Sequence, residues 1–371
     1  MDISHKHAYR PDLDGLRAIA VLSVIINHFD SKLLPGGFLG VDIFFILSGF
    51  VVTSSLSQKE DGSWSAYLSE FYSRRIKRLL PGLLICVVST SILGCLFIQD
   101  PIESLRTGVY SIVGMSNVYL YKHSSDYFGL ASENNLFTHT WSLAVEEQFY
   151  LIFPLILGLC GFSRKKKKNG RKITFFVILF LSLLSFISYL LLSKANPSFS
   201  FYLMPARFWE LGIGSLVFIV SSQLAFKKVE LFLSRNAVSV LVFILLLLSM
   251  FFPGSYQTYS RILLSVLTVL LIISIRSENI IHRFLTQKNI VQIGLLSYSL
   301  YLWHWPVFTL SRFTVGLNLY SISFLSFFFL FSLIVLLRNL SALKFGIHQI
   351  WFQYLLDYHS GSLGCLLFLR S

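Results

Sequence analysis

The first apolar stretch, DLDGLRAIAVLSVIINHF, carries Arg17 and His28 eleven residues apart. At 100° per residue, eleven steps make three turns plus about 20°, so both side chains share one helix face about 16 Å apart along the axis. A guanidinium binds anions, and an imidazole titrates near neutral pH. One stripe thus joins an anion anchor to a candidate general base. An interfacial histidine with a topology-setting arginine would give the same spacing, and that reading stays open. Asp42, in GGFLGVDIFFILSGF, falls at a depth close to His28. A carboxylate there is expected to pair with the imidazole, fix its tautomer and raise its basicity, with a structural ion pair as the alternative. Glu146 and Glu147, in HTWSLAVEEQFYLIFP, point about 100° apart, so at most one of them faces His28. His139 and Trp141 beside them either line a cavity or anchor the interface.

Three further groups complete the set. FYSRRIKRLLPG (71–82) clusters Arg74, Arg75 and Arg78. Positive charge at a helix end sets topology, but three arginines in five residues also suit a phosphate-rich ligand through bidentate contacts. Arg207 and Glu210, at i and i+3 in PARFWELGIGSL, read equally well as a self-neutralising pair or as part of a site. His304, in SYSLYLWHWPVF, either packs or lines a cavity. An ionisable group at the centre of a lipid-spanning helix costs roughly 2.5–3.5 kcal/mol, which makes each of these a functional candidate.

The elements that position them must be membrane helices. The 371-residue chain is 54% hydrophobic and only 13% charged, with 36 phenylalanines. A soluble domain carries about 25% charged residues. The composition excludes a cytosolic enzyme, a disordered chain and a nucleic-acid-binding module, and nucleic acid is not an expected partner. The net charge of +13 belongs instead to cytoplasmic loops under the positive-inside rule. Apolar runs predict spans at 17–30, 38–56, 79–99, 141–162, 173–193, 205–222, 236–252, 262–275, 291–312 and 318–338. The segment 105–122 is apolar but interrupted by Arg106, Ser111, Ser116 and Asn117. Parity decides its role. The basic runs at 73–78 and 163–172 should both be cytoplasmic, so an even number of crossings separates them. The segment is therefore expected to be a re-entrant or surface helix within an external loop, 100–140. Ten spans with both ends inside place 24 of the 31 Lys and Arg residues in the cytoplasm. Cys86, Cys95, Cys160 and Cys365 show no ligand or disulfide spacing, and no metal is expected. The polar N-terminus does not read as a cleavable signal, and no internal repeat marks a transporter.

Five strings in order, YRPDLDGLRAIAV through His28, GGFLGVDIFFILSGF, FYSRRIKRLLP, HTWSLAVEEQFYL and SYSLYLWHWPVF, resemble the acyltransferase-3 family of integral membrane acyltransferases. They spread over about 9–310. The resemblance implies an all-α membrane domain, 9–338, of about ten helices in the bacterial inner membrane. Such a domain moves an acyl group, usually acetyl, from cytoplasmic acyl-CoA to a hydroxyl of a surface glycan such as O-antigen, peptidoglycan or a lipid-linked sugar. A separate periplasmic transferase is a further partner it allows. It makes His28 the essential histidine and Arg17 its partner, matches Arg75 and Arg78 to functional arginines, and leaves Asp42, Glu146 and Glu147 as family acids of less certain role. Arg17 with Arg74, Arg75 and Arg78 would hold the CoA phosphates, while His28, oriented by Asp42 or a glutamate, would be general base or brief acyl carrier. Two departures stand out. No external SGNH-type domain is expected, since no GDS motif is present, and the tail 339–371 lacks the family's acidic-Pro-Arg ending, as a truncation or frame change would leave it. A transporter or flippase for a lipid-linked glycan, or an inactive remnant, are the competing readings.

Overall fold

The computed structural model describes residues 9–57, 64–123, 130–162, 169–221, 226–276, 279–314 and 316–317. Among these residues every regular element is helical. In chain order they are α1 (Pro11–Phe29), α2 (Gly40–Ser57), α3 (Trp64–Phe97), α4 (Ile102–Ile112), α5 (Ser116–His123) and α6 (Leu130–Asn134). There follow α7 (Thr140–Cys160), α8 (Gly170–Ala195), α9 (Pro197–Tyr202), α10 (Met204–Ser221) and α11 (Phe226–Leu233). The last are α12 (Asn236–Ser249), α13 (Gln257–Ser274), α14 (Ile280–Leu285), α15 (Lys288–Leu295) and α16 (Ser297–Phe313). The predicted tenth span, the tail and the lysines 165–168 lie outside the described residues.

Among the described residues, six segments are long and apolar enough to cross a membrane: Gly37–Ser57, Tyr67–Phe97, Thr140–Cys160, Gly170–Ala195, Pro197–Ser221 and Gly254–Ser274. Phe176, Phe180, Leu183, Leu184, Ile187 and Leu191 stand exposed along α8, and Val88, Ile92 and Leu96 along α3. Rows of this kind suit lipid and would be a liability in water. The chain is an all-helical, multi-pass membrane protein.

Three boundaries differ from the sequence expectation. Pro11 at the first helical position and Asp12 and Asp14 in the first turn start α1 before its apolar run. The basic run 73–78 is no loop but belongs to the 34-residue α3, because Tyr67 and Phe71, one turn apart, both bury against the core and carry the helix through the arginines. The expected span 291–312 is two helices divided at Leu296. The interrupted segment 105–122 forms α4 and α5, broken at Gly114 with φ +69°. At 11 and 8 residues, neither can cross about 30 Å of hydrocarbon.

Glycines set the closest approach. A Cβ on Gly49 would fall 1.8 Å from the Leu211 carbonyl oxygen, and one on Gly214 would fall 2.0 Å from that of Ile46. The backbones of α2 and α10 therefore touch, as small residues allow in membrane bundles. That contact brings Asp42, in the first turn of α2, beside Arg207 of α10.

Candidate active site

The candidate residues fall into two polar centres that share α1. At the C-terminal end of α1, His28 Nδ1 lies 2.9 Å from His304 Nε2, and the rings stack at 5.1 Å with 3° between their planes. His304 Nδ1 lies 2.6 Å from the Tyr301 carbonyl oxygen. A carbonyl only accepts, so His304 carries its hydrogen on Nδ1 and, when neutral, presents a lone pair at Nε2. His28 must then donate from Nδ1, which leaves its Nε2 as the basic nitrogen. His139 Nε2 donates to the Leu302 carbonyl at 3.1 Å, and its ring meets that of His304 edge-on at 5.6 Å. Trp305 meets the His28 ring edge-on at 4.7 Å, held by its indole N–H donating to the Asn135 carbonyl at 2.8 Å.

A small cavity beside His28 is lined by Phe38, Val41, Asp42, Trp141, Phe201, Arg207 and Arg261. Asp42 was expected to orient the imidazole, and it does not. Its Oδ1 accepts from Arg207 Nη2 at 2.6 Å and lies 3.1 Å from Arg261 Nε. Two guanidinium groups outcompete a neutral ring for the carboxylate. Arg207 Nη1 is also 3.0 Å from Glu210 Oε1, the i, i+3 pair the sequence offered, here extended across helices. Glu146 does not orient His28 either. It accepts from Ser48 at 2.8 Å and from Tyr150 at 2.9 Å. Its position one and a half turns into α7 puts it about 7 Å further along the bundle than Trp141. Glu147 turns the other way, its carboxylate toward Gly114.

Arg17 opens the second centre. It donates to Asp14 at 2.7 Å, and Asp14 also accepts from the Tyr9 hydroxyl at 2.6 Å. Burial first, and the Asp14 carboxylate second, push the Tyr9 phenol well above its ordinary pKa, so it remains a donor. Arg75 lies over the rings of Tyr150, at 4.7 Å, and Phe71, at 5.4 Å. Arg78 feels the charges of Arg17 and Arg75, and Glu146 feels those of the same two arginines. Arg74 was expected to join them and does not, because it pairs with Glu70 one turn back and is 52% exposed. The helix explains the division. In projection Arg78 lies between its neighbours, Arg75 faces inward and Arg74 faces Glu70. Among the described residues, Arg75 and Arg78 have no carboxylate within ion-pair distance.

Arg261 escaped the sequence reading. It precedes the predicted apolar run, 262–275, by one residue, but α13 begins at Gln257 and draws it inside. The signal was there in Arg261, Ser265 and Thr268, a polar i, i+4, i+7 stripe that is wholly buried.

The family model described as an acyltransferase domain matches residues 10–338. The O-acetyltransferase OatA of Staphylococcus aureus is 34% identical over 313 residues, covering 81% of this chain and 50% of its own length. The peptidoglycan O-acetyltransferase OatA of Listeria monocytogenes is 32% identical over 321 residues, covering 83% of this chain and 50% of its own. The chain thus spans about half the length of the relatives it matches. No solved structure matches it. With nearly its whole described length inside the match, the chain belongs to the acyltransferase-3 family of membrane proteins.

Proposed function

We propose that this protein is an O-acetyltransferase of the bacterial inner membrane, moving an acetyl group from acetyl-CoA at the cytoplasmic face to a hydroxyl of a cell-envelope glycan. The observation that carries the reading is the pair of polar centres that share α1, with Arg75 and Arg78 of α3, which have no ion-paired carboxylate among the described residues, beside the Asp14-bound Arg17 at one end, and an imidazole of fixed tautomer at the other. Arg75 and Arg78 suit phosphate because no carboxylate of the described chain neutralises them. His28 Nε2 takes the proton of the acceptor hydroxyl as its oxygen bonds to the acyl carbon, the acyl–sulfur bond breaks, and the proton passes on to the sulfur. The name of the Listeria relative favours peptidoglycan over O-antigen as the glycan.

The same reading takes ten spans, both ends cytoplasmic, which places the Arg75 end inside and the His28 end outside. Cysteine labelling at positions 168 and 130 checks it, with labelling from opposite sides expected. Labelling of both from one side refutes the orientation. The activity itself is checked with reconstituted protein, acetyl-CoA and a soluble peptidoglycan fragment. His28→Ala should lower transfer by roughly 10²–10⁴-fold, the range of general-base catalysis, while the protein still inserts. An active His28→Ala protein overturns the mechanism. A flippase would move the glycan without releasing CoA.

A further inference from the structure

His28 is the last residue but one of α1. The final turn of a helix has carbonyls with no helical N–H to meet them, and it frays unless something else holds it. A base that must meet a hydroxyl at a fixed point is poorly placed there without support. The N–H that a longer helix would bring to the His28 carbonyl is that of Lys32, and it donates to the Asp30 carboxylate at 2.9 Å. Arg312, at the end of α16, supplies a donor instead. Its Nη2 reaches the His28 carbonyl oxygen at 3.1 Å. A cation beside the last carbonyls of a helix is favourable in itself. The guanidinium also lies over the ring of Trp305, 5.9 Å from its centre, and Trp305 is the ring that meets His28 edge-on. Tyr301, Trp305, Phe308 and Arg312 follow at steps of four, three and four, so they share one face of α16. Helix α16 thus holds His28 at three points: His304 at the imidazole Nδ1, Trp305 at the ring and Arg312 at the backbone. Glu133 is near enough for its charge to be felt, yet among the described residues no carboxylate lies within ion-pair distance of Arg312. No acid therefore competes with the carbonyl for the guanidinium.

We propose that Arg312 is a positioning residue for His28, holding the last turn of α1 so that the imidazole keeps its bond to His304 and turns Nε2 to the acceptor hydroxyl. It touches no reacting atom in this role. The inference rests on the reading of His28 as the base for that hydroxyl. A displacement of about 1 Å at a reacting group costs on the order of 100-fold in rate. A guanidinium that merely marked the outer end of a helix could be removed without touching the chemistry. Once the turn is loose, the ring slips from His304 Nε2, and the proton exchanges between the two nitrogens of His28.

The test pairs turnover with the tautomer of His28, both read in nanodiscs. Arg312→Met removes the donor and keeps an apolar stem, while Arg312→Lys keeps a charged donor of nearly the same reach. With acetyl-CoA and a soluble peptidoglycan fragment, Arg312→Met should lower kcat at least tenfold and leave the acetyl-CoA KM within twofold. Arg312→Lys should return kcat to within about threefold of wild type. The tautomer is read by nitrogen-15 NMR of labelled histidines, with the His28 signals assigned by their loss in His28→Ala. Wild type and Arg312→Lys should show one protonated and one bare nitrogen, and Arg312→Met an averaged pair. If Arg312→Met fails to fold, Arg312→Gln takes its place with the same expectation, because its amide nitrogen ends two atoms short of Nη2. Unchanged kcat and unchanged signals in the folded variant, a loss that Arg312→Lys shares, or a loss confined to KM overturns the proposal. Wild-type protein that transfers no acetyl group, while its His28 signals respond to the substitutions as expected, would keep Arg312 as the residue that holds His28 and overturn the proposed activity.

Discussion

Around Asp42, two arginines and two carboxylates meet at 2.6–3.1 Å with side chains no more than 3% exposed. Around Arg75, beside the Arg17 end of α1, three guanidinium groups gather with fewer acids than charges. Arg17 has Asp14, Arg75 has ring faces, and Arg78 is open to solvent. The difference lies in where each centre finds its counter-charge. The Asp42 cluster carries its own and is buried for that reason, since an unpaired charge in a low-dielectric interior costs several kcal/mol. On the proposed function, the Arg75 group takes its balance from an anion in solution and stays accessible for it. On that reading a closed, self-paired centre fixes geometry, and an open, cationic one recruits a ligand.

The largest test of that contrast is stability. Arg207→Ala leaves Asp42 and Glu210 facing each other beside Arg261 alone. Breaking a buried pair from one side costs about 3–5 kcal/mol. Arg75→Ala removes a charge with no carboxylate partner and should change stability by no more than about 0.5 kcal/mol. Thermal unfolding in detergent reads both. Equal losses would mean that the Arg75 group is also structural, and the contrast would fail.

A second test sharpens the closed centre. If His304 sets the tautomer of His28, His304→Ala should lower kcat about 100-fold, the lower range for a mispositioned base, with the acetyl-CoA KM unchanged. His304→Gln offers a side-chain carbonyl that can accept from His28 Nδ1, and should regain about tenfold. A residue that merely packs would show no such rescue.

Much of this was legible in the sequence, and the failures have one cause. Arg17 and His28 share a face because helical period alone dictates it, and Arg207 finds Glu210 for the same reason. Partners across helices were not legible. Asp42 lies near His28 in depth, but its choice of Arg207 depends on Gly49 and Gly214 letting two backbones touch, which no local pattern states. His304 was a candidate without a role until α16 packed on α1 and put its ring against His28. Arg74 was misjudged because a run of charges was read as a loop, where every arginine counts alike. In a helix each points its own way.

That last point yields the smallest effect and the finest discrimination. Arg75→Ala and Arg78→Ala should each raise the acetyl-CoA KM about 10–100-fold, since one hydrogen bond to a charged group contributes about 1.5–3 kcal/mol. Arg74→Ala should raise it less than about twofold, because its guanidinium already serves Glu70 in an exposed pair of the kind that contributes about 0–1 kcal/mol. Lys166→Ala should do no more, as one member of a basic run whose role is topology. All four substitutions remove the same unit of charge, so a ligand drawn only by the overall field would feel them alike. Salt separates the two cases further. Raising ionic strength from 0.1 to 1 M shortens the screening length from about 10 to 3 Å. That should erase any shared effect of Arg74 and Lys166 while leaving the gap between Arg75 and Arg74. If Arg74→Ala matches Arg75→Ala at both ionic strengths, the phosphate group is held by the run as a whole, and the face of α3 selects nothing.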